Sequence, residues 1–242
     1  MSGSYFHARF IERPNRFLAR VRLDDGNIEG SREKSIAETH LPDPGRLREL
    51  LLPNAKVILR ESNNPHRKTR YSLIGVLYHD VWVNVDSQIP NRLFRVDFRA
   101  IPGLEGYKII RSEFTYHRSR FDFLMENPNG KKTLIEIKGV TLVEDNLALF
   151  PDAPTVRGTR HIHELERAIE DGYEAAVVFF IKRSDATAFQ PNNSMDPRFS
   201  TALLSAIRAG VRVYPVRCHF DPIERFELNV LDLVPFQAPK ES

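Results

Sequence analysis

Residues 119–142, SRFDFLMENPNGKKTLIEIKGVTL, hold two apolar-alternating runs around an Asn-Pro-Asn-Gly turn, the pattern of a β-hairpin. In the first run Phe121 and Phe123 share one face, and Arg120, Asp122 and Leu124 the other; in the second, Ile135 and Ile137 oppose Glu136 and Lys138. The simplest register keeping Phe and Ile together pairs Phe121 with Ile137 and Phe123 with Ile135. It sets Asp122 across from Glu136 and Arg120 across from Lys138. Like charges then face each other twice, which destabilises an ordinary solvent-facing hairpin. Two carboxylates converging on one point are what a hard divalent cation needs. The pattern therefore predicts Mg²⁺ or Mn²⁺ at Asp122 and Glu136, with the Ile137 carbonyl available as a third ligand.

Strands and helices alternate around the hairpin. A helix is expected from about Asn91 to Ala100, then strands at YKIIRSEFTYH, RFDFLMEN and KTLIEIKGV. Ile162, Leu165 and Ile169 fall at i, i+3 and i+7 and predict a helix from about Arg157 to Glu170. EAAVVFFIKR reads as a buried interior strand. A further helix at RFSTALLSAIRAG ends at Gly210 and leads into the strand VRVYPVRC. This α-β-β-β-α-β-α-β order is that of a mixed sheet flanked by helices.

Upstream, from about Ala8 to Val85, the chain is a run of short alternating segments: FLARVRL, IAETHL, AKVILRES and RYSLIGVLYHDVWVNVD. One short helix is expected at PGRLRELL, capped by Asp43 with Pro44 at its first position. Several short strands with one intercalated helix suggest a small, partly open oligonucleotide/oligosaccharide-binding (OB) barrel. The fold class expected is thus α/β (α+β): an OB-like barrel over residues 1–85, then a mixed-sheet α/β domain over 86–242.

The chain has 242 residues, of which 41% are hydrophobic and 28% charged, the balance of a globular protein with a real core. Its longest apolar run, YEAAVVFFI, is far short of a membrane span, and MSGSYFHARFIERPNR lacks the apolar core of a signal peptide. A cytoplasmic location without membrane association is expected. Cys218 is the single cysteine, so internal disulfides and cysteine metal clusters are excluded. The formal net charge of +3 is compatible with nucleic acid without requiring it.

With Asp122 followed by Glu136-Ile137-Lys138, this order of elements resembles the PD-(D/E)xK nuclease core, although Phe121 stands where the name-giving proline would be. The segments HLPDPGRLREL, PNRL, SRFDF, EIKGVTLV and FPDAPTVRGTRHIHEL, with the Gly210-Val211 junction, resemble the sugar fermentation stimulation protein family over nearly the full length. Asp43 departs from the Asn expected there. The resemblance implies an OB-type barrel joined to a PD-(D/E)xK nuclease-like domain, in a DNA-binding protein linked to sugar-utilisation genes. It implies catalytic roles for Asp122, Glu136 and Lys138, with Lys138 orienting water or stabilising developing charge.

For DNA contacts the candidates are Arg46 and Arg48 beside the short helix, the basic loop HRKTR, Arg120, and Arg157 with Arg160 at a helix start, where Gly158 would let a phosphate approach. On the wheel used for Ile162 and Leu165, Arg157, Arg160, His161 and Glu164 form a solvated face. His161 and His163 point about 200° apart and cannot chelate together. Asp152 reads as a turn or capping residue, with a place at or behind the metal as the alternative, and Glu113 as half of a surface ion pair rather than a further oxygen beside Asp122. Two alternatives remain at this level. One is a non-catalytic transcriptional regulator, although no helix-turn-helix pattern appears; the other is a saccharide-binding barrel, for which Trp82 would be the stacking residue.

Overall fold

The computed structural model describes residues 4–24, 36–222 and 227–239. In the first part, period-two burial makes the strands: Ala8 and Phe10 are buried in β1 (Tyr5–Asn15), Ala19, Val21 and Leu23 in β2 (Leu18–Leu23). β3 (Ile36–His40), β4 (Lys56–Glu61), β5 (Tyr71–Tyr78) and β6 (Val81–Asn84) follow. Hydrogen-bonded neighbours run β3-β2-β1-β4-β5-β6, and β3 also pairs in parallel with β5 through Thr39–Tyr71 and His40–Ser72. β1, β2, β3, β5 and β4 therefore close on themselves, as the OB-type reading requires. Phe10, Val21, Leu41, Val57, Leu59 and Leu73 are among the residues that fill the interior. β1, which bridges β2 and β4, starts before the sequence pattern became legible.

The helix expected at PGRLRELL does not form; residues 41–52 are turn and irregular structure. Leu47 sits at φ 49°, which interrupts a helix. The Arg13 guanidinium donates to the carbonyls of Gly45 and Arg46 at 2.7 Å and of Asp43 at 3.2 Å, taking acceptors a helix would use internally. Asp43 Oδ1 accepts the Gly45 N–H at 2.8 Å, closing a local turn instead of capping a helix. Leu47 and Leu50 are buried all the same.

The second part follows the expected order. α1 (Ile89–Asp97) precedes β7 (Lys108–Tyr116), β8 (Ser119–Glu126) and β9 (Lys132–Val140). The β8–β9 turn is tied by Asn127 Oδ1, which accepts from the N–H groups of Asn129 and Lys131, and by Gly130 at φ 78°. Then come β10 (Val143–Glu144), β11 (Leu147–Phe150), α2 (Val156–Glu170), β12 (Glu174–Ile181), β13 (Ala188–Pro191), α3 (Pro197–Arg208), β14 (Arg212–Asp221) and β15 (Glu227–Leu233). The main sheet runs β15-β14-β12-β9-β8-β7. β12 lies between β14 and β9, parallel to both, which explains its unbroken apolar run. β10, β11 and β13 form a small separate sheet that the sequence reading missed.

Two compact units result: Met1–Gln88 with Phe220–Leu228, and Ile89–His219 with Asn229–Ser242. In the first unit, a side chain at Gly75 would come within 2.6 Å of the Phe220 ring, so this glycine makes room for the returning segment. No helix among the described residues is long and apolar enough to cross a membrane.

Candidate metal centre and nucleic-acid interface

The β8–β9 register pairs Phe123 with Ile135, Leu124 with Leu134, Met125 with Thr133 and Glu126 with Lys132. The paired ladder stops there, so the expected cross-strand pairs Phe121–Ile137 and Asp122–Glu136 do not form as backbone pairs. Asp122 itself ends the ladder: its Oδ2 accepts the Ile137 N–H at 2.7 Å, where a strand carbonyl would otherwise lie. On the other side, β7 pairs Ser112 with Phe123 and Phe114 with Phe121. Between them Glu113 adopts φ 53°. Nor do Arg120 and Lys138 form a backbone pair; Arg120 pairs with Thr115 of β7 and lies 3.7 Å from Glu113, an exposed ion pair as expected.

Glu136 is buried, and its Oε1 accepts from Lys138 Nζ and lies 2.6 Å from His161 Nδ1. Its Oε2 is buried with no hydrogen-bond partner. Asp122 Oδ1 accepts from Asn91 Nδ2, on α1, at 2.6 Å. Burial, reinforced by the Glu136 charge, pushes the Asp122 carboxyl above its ordinary pKa. Burial pushes Glu136 upward as well, but Lys138 and His161 together outweigh it and hold that carboxyl below the ordinary range. The two carboxyls are thus shifted in opposite directions.

Among the described residues no group of three or more His, Cys, Asp and Glu side chains is arranged to hold a metal. The site fits Mg²⁺ or Mn²⁺ nonetheless. Such ions keep several waters and need only one or two carboxylates, and the partnerless Glu136 Oε2 is a buried acceptor that a cation would satisfy.

Within the barrel, a cleft of about 670 Å³ is lined by Phe17 between β1 and β2, by His40 on β3, by Arg60, and by Arg67 and Lys68 of the HRKTR loop between β4 and β5. These are the β2–β3 face and the two loops through which OB barrels take oligonucleotides or oligosaccharides. Phe17 is 52% exposed. Arg60 is held 3.4 Å from the buried Asp86. Arg46 and Arg48 line a second, shallower cleft of about 350 Å³ with Arg13 and Arg16.

Comparison with known proteins follows this division. Residues 11–85 match the family described as SfsA N-terminal OB domain, and residues 88–224 that described as Sugar fermentation stimulation protein RE domain. A sugar fermentation stimulation protein homolog of Clostridium tetani is 44% identical over 216 residues, covering 88% of this chain and 90% of the relative. One from Methanothermobacter thermautotrophicus is 43% identical, covering all of this chain and 95% of the relative. The chain belongs to the sugar fermentation stimulation protein family. The structure of Pyrococcus furiosus SfsA in complex with Ca²⁺ superposes with a TM-score of 0.85 at 29% identity, covering 97% of this chain and 96% of that one.

In this family member, several residues singled out in the sequence take other places than expected. Gly158 is buried; its N–H donates to Thr155 Oγ1 at 3.0 Å, and a side chain there would strike Thr155 at 2.7 Å. The glycine therefore serves the α2 cap rather than an approaching phosphate. Thr155, not Asp152, is that cap. The Thr155 N–H is taken in turn by Asp196 Oδ2 at 2.7 Å, and Asp196 Oδ1 caps α3 through Phe199 N–H at 3.0 Å. Arg157 and Arg160 are exposed on the first turns of α2, as a solvated face predicts. His161 is not: it is buried, with Arg157 Nε donating to its Nε2 at 3.4 Å. The missed signal was its position four residues before Leu165, about 40° away on a helical wheel. His163 is exposed and lies 3.6 Å from Glu166. Trp82 is half-buried on β6 and does not line the barrel cleft.

Proposed function

We propose that this protein binds DNA and carries, in its second unit, a divalent-metal site able to hydrolyse phosphodiester bonds. The observation that carries the reading is the half-buried Asp122 beside the buried Glu136, with one carboxyl raised, the other lowered, and Glu136 Oε2 left without a partner. Asp122, Glu136 and the Ile137 carbonyl are the groups that would hold Mg²⁺ or Mn²⁺. When bound, the cation would supply Lewis-acid polarisation of a phosphate and activation of water. Asn91 and the Ile137 N–H orient Asp122. Lys138 keeps a positive charge beside the pair, where it can stabilise charge developing on a phosphate oxygen. The Ca²⁺ in the Pyrococcus furiosus relative supports the choice of a hard divalent cation.

For the nucleic acid, the barrel cleft offers an exposed aromatic beside basic side chains, the combination that holds stacked bases and a phosphate backbone. Arg46, Arg48, Arg120, Arg157 and Arg160 supply further exposed cations. A cytoplasmic place and a role in sugar utilisation accompany this reading, the latter resting on the family's name alone. The test is a nuclease assay on single- and double-stranded DNA with Mg²⁺ or Mn²⁺. Metal-dependent cleavage lost in Lys138→Ala, with metal affinity retained, is expected. Metal binding while every DNA stays intact would leave a non-catalytic DNA-binding regulator.

A further inference from the structure

We infer that His161 is the positioning residue that pins Glu136 by one oxygen and so presents the other to a divalent cation; this rests on the metal-site reading above. The ring is 2% exposed, on the first turns of α2, and packs edge-on to Phe121 at 5.8 Å. Its Nε2 accepts from Arg157 Nε at 3.4 Å, which places a ring proton on Nδ1. Nδ1, 2.6 Å from Glu136 Oε1, is then a donor to that oxygen.

The consequence is an asymmetric carboxylate. Oε1 takes both His161 and Lys138, whereas Oε2, equally buried, takes nothing. Lys138 alone cannot enforce this arrangement, because a flexible ammonium follows a carboxylate through its rotations and can pair with either oxygen. A buried ring wedged between a helix and Phe121 cannot follow. His161 thus prepares Oε2 in advance of binding, as hydrogen-bonding partners behind metal ligands commonly do. Its role lies in orientation and requires no contact with substrate.

The experiment titrates the full-length protein with Mn²⁺ alone, by calorimetry, in wild type, His161→Leu and His161→Asn. Leu keeps bulk and removes the donor; Asn keeps an N–H near the Nδ1 position. The expected result is about a 10- to 100-fold weaker Mn²⁺ affinity for His161→Leu, with most of the loss restored in His161→Asn. If wild type binds no Mn²⁺, the metal-site reading itself fails. If wild type binds and His161→Leu binds equally well, the metal site stands and the role of His161 is overturned. Equal loss in Leu and Asn also overturns it, since the N–H that Asn retains would then not be what the site needs. Should His161→Leu not fold, His161→Ala, which leaves room for water beside Glu136, takes its place with the same readings.

Discussion

The loops at the barrel cleft and the strand site of the second unit handle charge in different ways. In the barrel, cations sit on loops and at the rim of a cleft: Lys68 is exposed, and Arg67 donates to Ser72 Oγ at 3.0 Å. In the second unit, carboxylates are carried inward on strands: burial and then the Glu136 charge raise the Asp122 carboxyl, while Lys138 and His161 outweigh burial at Glu136. Surface charge acts through many weak, salt-screened and nearly additive contacts. Buried charge acts through a few groups whose removal changes protonation as well as binding. The barrel should therefore respond to substitution in small equal steps, and the strand site abruptly.

The largest effect expected is at the strand site. Mg²⁺ or Mn²⁺ at a hundredfold excess over its dissociation constant should stabilise the folded protein by about 2.7 kcal/mol. Asp122→Asn or Glu136→Gln should remove most of that gain in calorimetric melts. A wild-type melting temperature unmoved by either ion would erase the contrast between the units.

The barrel comes next. Binding of single-stranded DNA should weaken linearly with log salt, and Arg67→Ala and Lys68→Ala should each lower the slope by about 0.7, nearly additively. Arg157→Ala and Arg160→Ala test whether exposed cations of the second unit behave alike. Slopes unchanged in filter-binding titrations would remove the phosphate contacts from the barrel cleft.

A smaller effect concerns the strand site without metal. Because the folded state raises the Asp122 pKa, this group contributes fully below its ordinary value, and the contribution is lost as pH rises through the raised one. Glu136, held low, contributes above its ordinary value, and that contribution is lost as pH falls through the lowered one. In EDTA, Asp122→Asn should raise stability at neutral pH by about 1 kcal/mol, or roughly 2–4 °C in Tm. Asn91 can turn its amide to match the new side chain, and the advantage should shrink on acidification. A pH-independent difference in melts would contradict the raised carboxyl. The smallest effect expected is for Asp43→Asn, within about 0.5 kcal/mol in denaturant unfolding, because either side chain can accept the Gly45 N–H.

Much of this architecture is legible in the sequence because strand alternation has a period of two and one wrong step reverses every face. That constraint yields the Phe123–Ile135 register of β8 and β9, though not the pairs expected beyond it, as well as the barrel strands from β2 to β6. The failures share a cause. Whether residues 43–52 form a helix depends on Arg13, some thirty positions upstream, reaching their carbonyls. Whether His161 is solvated depends on which strand passes beneath α2, and no helical wheel contains that strand. Nor does periodicity reveal β10 and β11, of two and four residues, which are too short to show one. Local pattern determines faces, whereas distant partners decide which face is covered.

The return of Phe220–Leu228 to the first unit bears on how the protein can be dissected. A fragment ending at Gln88 would contain every barrel strand yet lack the Phe220 ring, which Gly75 is shaped to admit. The missing ring would leave an apolar hollow on β5. Removing the first 88 residues would in turn strip Phe220 of the surface it covers and expose an aromatic side chain to water. The first unit is drawn from two stretches of chain, so a faithful isolated barrel must be stitched from two pieces of the reading frame.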